Sequence, residues 1–170
     1  MNASTKTETA RLAEAPVTAK TTHPHTTLPP NETCAALARR LRAETRGEVL
    51  FDPASRGRYA TDASAYQITP VGVFVPTTPE DVATALAVAR ELQVPVLARG
   101  GGTSQCGQTT GAALVVDCSK HLRRVLDVDV EARTATVEPG LVLDHLNAAL
   151  KTHGLWYPVD VSTSAQATLG

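Results

Sequence analysis

The part of the sequence best suited to bind a ligand is a glycine-rich loop that follows a short apolar segment. The loop begins with three consecutive glycines and two hydroxyl residues, which are Gly100, Gly101, Gly102, Thr103 and Ser104. Glycine permits positive φ angles and lets the backbone approach a ligand with no Cβ in the way. Successive backbone N–H groups in such a turn can form an anion-binding nest, and the two hydroxyls add donors. The pattern therefore indicates a phosphate or pyrophosphate site, and the alternative is a flexible turn that binds nothing.

Arg99, which directly precedes the glycines, has two roles that the sequence leaves open. It can place a positive charge near a bound anion, or it can anchor the loop by pairing with an acid. The loop fits neither of the two best-known phosphate fingerprints. No helix is predicted behind it, as the pattern G-x-G-x-x-G requires, and the lysine of the P-loop is absent. Residue chemistry alone therefore leads to a dinucleotide or phosphate site of another type.

The composition narrows the class of protein. The chain has 170 residues, a formal net charge of −1 and 42% hydrophobic residues, which suits about one globular domain. Because the charges are interspersed with no basic stripe, we expect no nucleic-acid partner.

Cys34, Cys106 and Cys118 have no paired spacing, which argues against a disulfide framework and for a reducing compartment. No apolar run approaches the ~20 residues that span a bilayer. We therefore expect no transmembrane segment and a cytoplasmic location, with peripheral attachment to the inner membrane as the alternative.

Two segments precede the region around the glycine loop. Residues 1–30 contain almost no large apolar residues, and we expect them to form a disordered tail. Residues 31–57 are expected to form an N-terminal helical segment. Asn31 is the candidate helix cap, and Leu37 and Leu41 lie four residues apart on one face of the predicted helix.

The middle of the chain predicts a small parallel sheet. Gly47 is expected to end the first helix, and residues 58–66 are predicted to be a loop. Short apolar runs predict strands at residues 48–51, 71–75, 94–98 and 114–117. Thr78 is the candidate cap of a helix over residues 79–92. The inner face of that helix is expected to carry Val82, Leu86 and Ala89. Strand, helix and strand over residues 71–98 therefore predict a right-handed parallel βαβ unit.

The C-terminal third predicts an antiparallel unit. Residues 125–128 and 134–138 are predicted to be two antiparallel strands joined by a short turn. A helix is predicted over residues 141–150, with an inner face formed by Leu143, Leu146 and Leu150. The order of elements predicts an α+β fold, with a small parallel βαβ subdomain followed by the start of an antiparallel α+β subdomain.

Several ordered motifs together resemble a known family. The segments are residues 76–82, 95–104, 107–108, 137–140 and 167–170. They are similar to the FAD-binding domain of the vanillyl-alcohol oxidase and p-cresol methylhydroxylase superfamily. The segment 58–67 resembles the glycolate oxidase and D-lactate dehydrogenase subgroup, in particular long bacterial members. The resemblance implies a p-cresol methylhydroxylase-type FAD-binding domain over residues 58–170, with FAD lying between the two subdomains.

The resemblance also implies which residues bind FAD. The implied contacts are made by Pro76, Arg99, Gly100, Gly101, Gly102, Thr103, Ser104, Gly107, Gln108, Pro158, Asp160, Ser164, Thr168 and Gly170. In this scheme residues 100–104 bind the pyrophosphate, Gly107 and Gln108 extend toward the flavin, and Pro76 lines the adenine end. Relatives with covalent flavin have a histidine at the position of Thr103. Threonine cannot form that bond, so we expect non-covalent FAD. The sequence identifies no catalytic residue and no metal ligand.

The implied activity is oxidation of a D-2-hydroxy acid, of the lactate, glycolate or 2-hydroxyglutarate type, by hydride transfer to flavin. The family pattern continues after Gly170, so we expect an FAD-binding domain that is incomplete at its C-terminus and inactive alone. An iron–sulfur cluster in the missing C-terminal part is a further implication, and the electron acceptor is not identified. The alternatives are a non-catalytic nucleotide- or phosphate-binding module and an inactive truncated remnant.

Overall fold

The computed structural model of the chain describes residues 28–170, which form a mixed α+β arrangement. Its elements in chain order are α1 (Asn31–Glu44), β1 (Glu48–Leu50), α2 (Pro53–Arg58), β2 (Gly72–Val75), α3 (Pro79–Glu91), β3 (Val96–Arg99), β4 (Leu114–Asp117), β5 (Val125–Asp129), β6 (Thr134–Val137) and α4 (Leu143–Lys151). The first four strands form one sheet, and β5 and β6 form a second sheet. The α+β prediction is confirmed. The tail was predicted over residues 1–30, and its residues 1–27 lie outside the described part of the chain.

The four-stranded sheet has the strand order β1-β2-β4-β3. β4 is parallel to both of its neighbours, β2 and β3, whereas β1 joins β2 in the antiparallel sense. The parallel strands were predicted correctly, but the βαβ unit does not place β2 beside β3. β4 separates them because all four of its residues are buried, as are those of β2. A strand that is apolar on both faces belongs in the centre of a sheet, whereas the more exposed β3 occupies the edge.

Helices α1 and α3 cover one face of this sheet. Leu37 and Leu41 of α1 are fully buried against it, as their spacing predicts. Thr78 caps α3, since its hydroxyl accepts the backbone N–H of Asp81 at 3.3 Å. The predicted inner face of α3 is wrong at Leu86, whose side chain is 47% exposed. Ala89 is buried as predicted, and Val82 is partly buried against the core. Ala85 and Val88 are the further buried apolar positions of the helix.

The N-terminal segment differs from the prediction in three details. Asn31 is the first helical residue rather than the cap, and α1 ends at Glu44, before Gly47. Residues 53–57 were assigned no element of their own and Arg58 was placed in a loop, but residues 53–58 form the short helix α2. The Asp52 carboxylate caps α2 by accepting the Ser55 backbone N–H at 2.9 Å. A six-residue helix is too short to show an apolar period, so only its capping chemistry marked it in the sequence.

The second sheet and α4 form a separate apolar cluster. β5 and β6 pair in the antiparallel sense, as predicted. Leu143, Leu146 and Leu150 are buried, and the latter two pack with Leu141 against this hairpin. The helix begins at Leu143, two residues later than expected. Over the described residues 28–170, no helix has the length and apolar character that crossing a membrane requires.

Candidate functional site

The glycine-rich loop lies at the carboxyl ends of the parallel strands. Val75, Arg99 and Asp117 are the last residues of β2, β3 and β4, and all three line one cleft of about 380 Å³. Gly100 and Gly101 line the same cleft. Open α/β sheets bind ligands at this edge, because the loops that follow parallel strands converge there. The fold therefore places the glycine loop where a ligand site is expected.

The loop backbone presents a row of free donors. Among residues 28–170, the backbone N–H groups of Gly102, Thr103 and Ser104 have no hydrogen-bond acceptor. The N–H of Gly101 is donated to the Thr168 hydroxyl at 3.3 Å. Gly102 has φ +67°, in the left-handed region that side chains rarely adopt. Unpaired consecutive N–H groups next to a left-handed glycine form a nest that suits phosphate oxygens, and FAD carries two phosphates.

A C-terminal strip, residues 166–170, packs directly against this loop. A Cβ on Gly100 would lie 1.8 Å from the Thr168 hydroxyl oxygen, and one on Gly101 would lie 2.2 Å from the Gln166 carbonyl oxygen. The strip is fixed to the turn at residues 138–140, since Gly170 N donates to the Pro139 oxygen at 2.9 Å. Three glycine-containing motifs therefore meet at one place, and two of the contacts exclude any side chain larger than hydrogen.

A second segment, residues 59–67, holds the loop from the other side. Ala63 donates its N–H to the Gly102 carbonyl at 3.0 Å. The Tyr66 ring covers Gly107, where a Cβ would lie 2.6 Å from a ring carbon. Gly107 has φ +76°, so glycine is required there for both space and backbone conformation. Sequence reasoning treated residues 58–66 as an unassigned loop, and the structure makes most of that segment part of the site.

Asp62 joins this segment to the end of the glycine loop. Its carboxylate accepts the Ser64 N–H at 2.8 Å and the Thr109 hydroxyl at 3.0 Å. These bonds, with those from Ser64 the largest cause, lower the pKa of Asp62 to about 2. The carboxylate is therefore ionised throughout the physiological range and keeps the loop attached.

Arg99 anchors the loop, although not through an acid. Its Nη1 donates to the carbonyl oxygens of Thr109 at 3.2 Å and Tyr59 at 3.4 Å. Its guanidinium carbon lies 5.1 Å from the centre of the Tyr59 ring, a cation–π contact. In the described part of the chain no carboxylate lies within ion-pair distance of Arg99. The anchoring role expected through an acid is therefore wrong in its partner, because carbonyl oxygens hold the guanidinium. The charge of Arg99 stays unneutralised beside the loop, which keeps its role near a bound anion as a prediction.

Asp117 and Tyr59 complete the floor of the cleft. Asp117 is 6% exposed, and its carboxylate accepts the Tyr59 hydroxyl at 2.6 Å and the Ser119 N–H at 2.8 Å. Burial, and then the bond to Asp117, raise the pKa of the Tyr59 phenol. Neither residue was singled out for binding from the sequence. A carboxylate at the end of a fully buried strand was the signal for Asp117.

The two loop hydroxyls differ in their surroundings. Ser104 donates its hydroxyl to the Gln108 side-chain oxygen and accepts the backbone N–H groups of Cys106 and Gln108 at 3.3 and 3.2 Å. Its oxygen therefore closes a turn within the loop. The Thr103 hydroxyl makes no hydrogen bond with any described residue, so it is the hydroxyl available to a ligand.

The structure brings together only part of the set that the resemblance implied. Thr168 and Gly170 lie against the glycine loop. Pro76 is fully buried at the end of β2, next to the cleft-lining Val75. Pro158 lies in a different groove of about 900 Å³ between the β5–β6 hairpin and α4. Asp160 is exposed. Ser164 is half-buried, and its carbonyl oxygen accepts the Asp144 N–H at 3.3 Å. Their contacts with FAD stay predictions.

Three parallel strands are followed by a glycine loop with a nest of free N–H groups, and this loop packs against a strip of the antiparallel unit. These features define a nucleotide-binding domain of α+β type. A family profile described as an FAD binding domain matches residues 70–170, which is more than half of the chain. The chain belongs to this FAD-binding family, and the cofactor of the family is FAD.

Comparisons with known proteins agree with this assignment. The chain is 43% identical over 128 residues to D-2-hydroxyglutarate dehydrogenase of Pseudomonas putida, covering 74% of this chain and 13% of that protein. It is 36% identical over 132 residues to glycolate oxidase subunit GlcD of Bacillus subtilis, covering 75% of this chain and 28% of that protein. The chain thus spans only a small part of the relatives that it matches.

The fold is also found among solved structures. The crystal structure of p-cresol methylhydroxylase with substrate bound superposes with a TM-score of 0.63 at 21% identity. The match covers 82% of this chain and 29% of that one. At this identity the likeness establishes the fold, which is the p-cresol methylhydroxylase-type arrangement predicted from the sequence motifs.

Proposed function

We propose that the chain is the FAD-binding part of a flavin-dependent oxidoreductase and that residues 100–104 bind the FAD pyrophosphate. The observation that carries the proposal is the row of free N–H groups at Gly102, Thr103 and Ser104, next to the unneutralised guanidinium of Arg99. Hydrogen bonds to a charged group such as a phosphate are shorter and stronger than bonds between neutral groups. The Thr103 hydroxyl supplies one more donor.

The remaining predicted contacts extend from this point in two directions. Gly107 and Gln108 lie at the far end of the loop, and we assign them to the flavin side. Pro76 is buried at the end of β2 next to the cleft, and we assign it to the adenine side. We assign the C-terminal residues to a second FAD-contacting stretch, which Thr168 and Gly170 support because they lie against the glycine loop. We treat residues 31–57 as a helical segment that supports the sheet and residues 58–170 as the FAD-binding domain.

For the whole protein we propose oxidation of a D-2-hydroxy acid. The support is the activity of the relatives, which are D-2-hydroxyglutarate dehydrogenases and glycolate oxidase subunits. When bound, FAD supplies the acceptor for a hydride from the substrate α-carbon. In this proposal the residues of the chain bind and orient the cofactor. Three free cysteines support a reducing compartment such as the cytoplasm.

The test is a binding experiment on the full-length apoprotein. We expect FAD to bind with a change in the flavin absorption spectrum and ADP to compete with it, because ADP carries the same pyrophosphate. Riboflavin, which has no phosphate, is the matched control and is expected to compete weakly. A folded apoprotein that binds inorganic phosphate but neither FAD nor ADP would contradict the proposal and indicate a simple phosphate site.

A further inference from the structure

Arg99 and Asp117 are neighbours of opposite charge that do not form an ion pair. They occupy paired positions in the register of the parallel strands β3 and β4, so their side chains leave the same face of the sheet. Both line the cleft beside the glycine loop. Within residues 28–170, however, no nitrogen of Arg99 lies within 4.0 Å of the Asp117 carboxylate. Contacts with other residues must therefore hold the two side chains apart.

Tyr59 contacts both members of this pair. Its hydroxyl donates to Asp117 at 2.6 Å, its ring supports the Arg99 guanidinium at 5.1 Å, and its carbonyl accepts from Arg99 at 3.4 Å. The hydroxyl and the Ser119 N–H each bind one carboxylate oxygen of Asp117. Both oxygens are therefore satisfied by neutral donors, and the guanidinium is satisfied by a ring and carbonyl oxygens.

The position of the guanidinium gives this separation a consequence for binding. A Cβ on Gly102 would lie 2.7 Å from Nη2 of Arg99, so the charge lies directly beneath the loop. Arg99 Nε and Nη2 have no partner among the described residues. If Asp117 paired with Arg99, the carboxylate would neutralise the charge that a bound anion meets, and the anion would have to compete with it.

We propose that Tyr59 is a positioning residue for pyrophosphate binding, which holds Asp117 away from Arg99 and so leaves the guanidinium charge available to the glycine loop. The inference rests on the proposed function of that loop. It assigns a role in cofactor affinity to a residue outside the glycine motif, acting through Arg99 and not by contact with FAD. Burial and the Asp117 bond also raise the pKa of the Tyr59 phenol, so the hydroxyl remains a donor at every working pH.

The test measures FAD and ADP affinity of the full-length apoprotein in a double-mutant cycle. Tyr59→Phe keeps the ring and its contact with the guanidinium but frees one Asp117 oxygen to pair with Arg99. We expect FAD affinity to fall about tenfold, because a charge-assisted contact to the anion is lost, and the dependence of affinity on salt to become weaker. In the double variant Tyr59→Phe/Asp117→Asn the carboxylate charge is absent, so we expect most of the affinity to return.

The cycle separates this role from a purely structural one. If Tyr59 merely stabilised the fold, the double variant would bind as weakly as Tyr59→Phe, and that result would overturn the inference. Equal FAD affinity of Tyr59→Phe and the wild type would overturn it as well. Failure of the wild type to bind either FAD or ADP would instead remove the proposed function itself.

A variant that does not depend on Tyr59→Phe folding is Asp117→Asn alone. Asparagine keeps an acceptor for the Tyr59 hydroxyl but removes a buried negative charge close to the anion site. We expect FAD to bind about threefold more tightly, since a like charge near the ligand is removed. Unchanged or weaker binding by a folded Asp117→Asn variant would contradict the inference.

Discussion

Gly100 and Thr168 are in such close contact that a Cβ on the glycine would lie 1.8 Å from the threonine hydroxyl oxygen. The two residues belong to different subdomains, since Gly100 follows β3 and Thr168 belongs to the strip beside α4. The same hydroxyl accepts the N–H of Gly101. The contact therefore fixes the glycine loop to the C-terminal strip and sets the shape of the proposed FAD site.

Gly100→Ala is expected to destabilise the protein and to weaken FAD binding. The added methyl group must displace Thr168 or the loop, and overpacking of this kind costs about 1–3 kcal/mol of unfolding free energy. The matched control is Gly57→Ala in helix α2, where a Cβ has no atom within 4 Å. That variant is expected to gain about 0.4–1 kcal/mol, because alanine restricts the unfolded chain. Chemical denaturation and FAD titration measure both effects, and equal stability of the two variants would contradict the described contact.

The link between Asp62 and Thr109 predicts a pH-dependent contribution to stability. The pKa of Asp62 is lowered to about 2 in the folded protein, below its ordinary value of about 4. A depressed folded pKa stabilises the fold above the unfolded pKa, and this stabilisation is lost as the pH falls through the folded value. The wild type should thus exceed Asp62→Asn in melting temperature near pH 6, and the difference should shrink between about pH 4 and pH 2.

The difference between the wild type and Asp62→Asn isolates the contribution of Asp62 to the pH dependence of stability, because the other carboxylates titrate in both proteins. A melting-temperature difference that stays constant from about pH 6 to about pH 2 would show that ionised Asp62 does not hold the loop.

Leu37 of α1 and Leu86 of α3 differ in burial, so their truncation should lower the unfolding free energy by unequal amounts. Leu37 is fully buried between α1 and the sheet, so Leu37→Ala should cost about 2–5 kcal/mol through lost burial and the remaining cavity. Leu86→Ala removes a side chain that is 47% exposed and should change stability by about 0.5 kcal/mol or less. Denaturant midpoints measure the two values. A large loss at Leu86 would indicate that the sequence-based inner face of α3 was correct after all.

Much of the fold could be predicted from local patterns. Runs of β-branched residues marked β2 and β4, and Thr78 with the following proline marked the start of α3, because capping chemistry acts over a few residues. The strand order could not be predicted, since the placement of β4 between β2 and β3 depends on burial of both faces of a strand. The burial of Leu86 was also predicted wrongly. The helical period identifies an apolar face, but the surface that the helix packs against decides which residues lie at its centre.

The glycine loop was recognised from composition, whereas its supports were not. Asp62, Tyr66 and Tyr59 contact the loop across 40 or more residues of sequence, and no short-range pattern reports such contacts. Pro158 was assigned to the same stretch as Thr168, but the chain turns between them and places it in another groove. Long-range side-chain contacts therefore had to come from the structure.

Because residue 103 is a threonine, we predict that FAD is bound non-covalently and is released when the protein is denatured. Threonine at this position cannot form the histidyl linkage of covalently flavinylated relatives, as its hydroxyl does not replace an imidazole nitrogen. Acid precipitation of the full-length holoprotein should leave the yellow flavin in the supernatant. Flavin that stays with the precipitate, and fluoresces on a denaturing gel, would contradict this prediction.

Hydrogen exchange reports on the N–H groups of Gly102, Thr103 and Ser104, which we propose to bind the FAD pyrophosphate. We predict that adding FAD to the full-length apoprotein slows deuterium uptake in peptides covering residues 99–105, and that ADP produces the same protection. Peptides that cover helix α3 serve as the control, and their deuterium uptake should not change. FAD binding that leaves exchange in residues 99–105 unaltered would show that these N–H groups do not bind the cofactor.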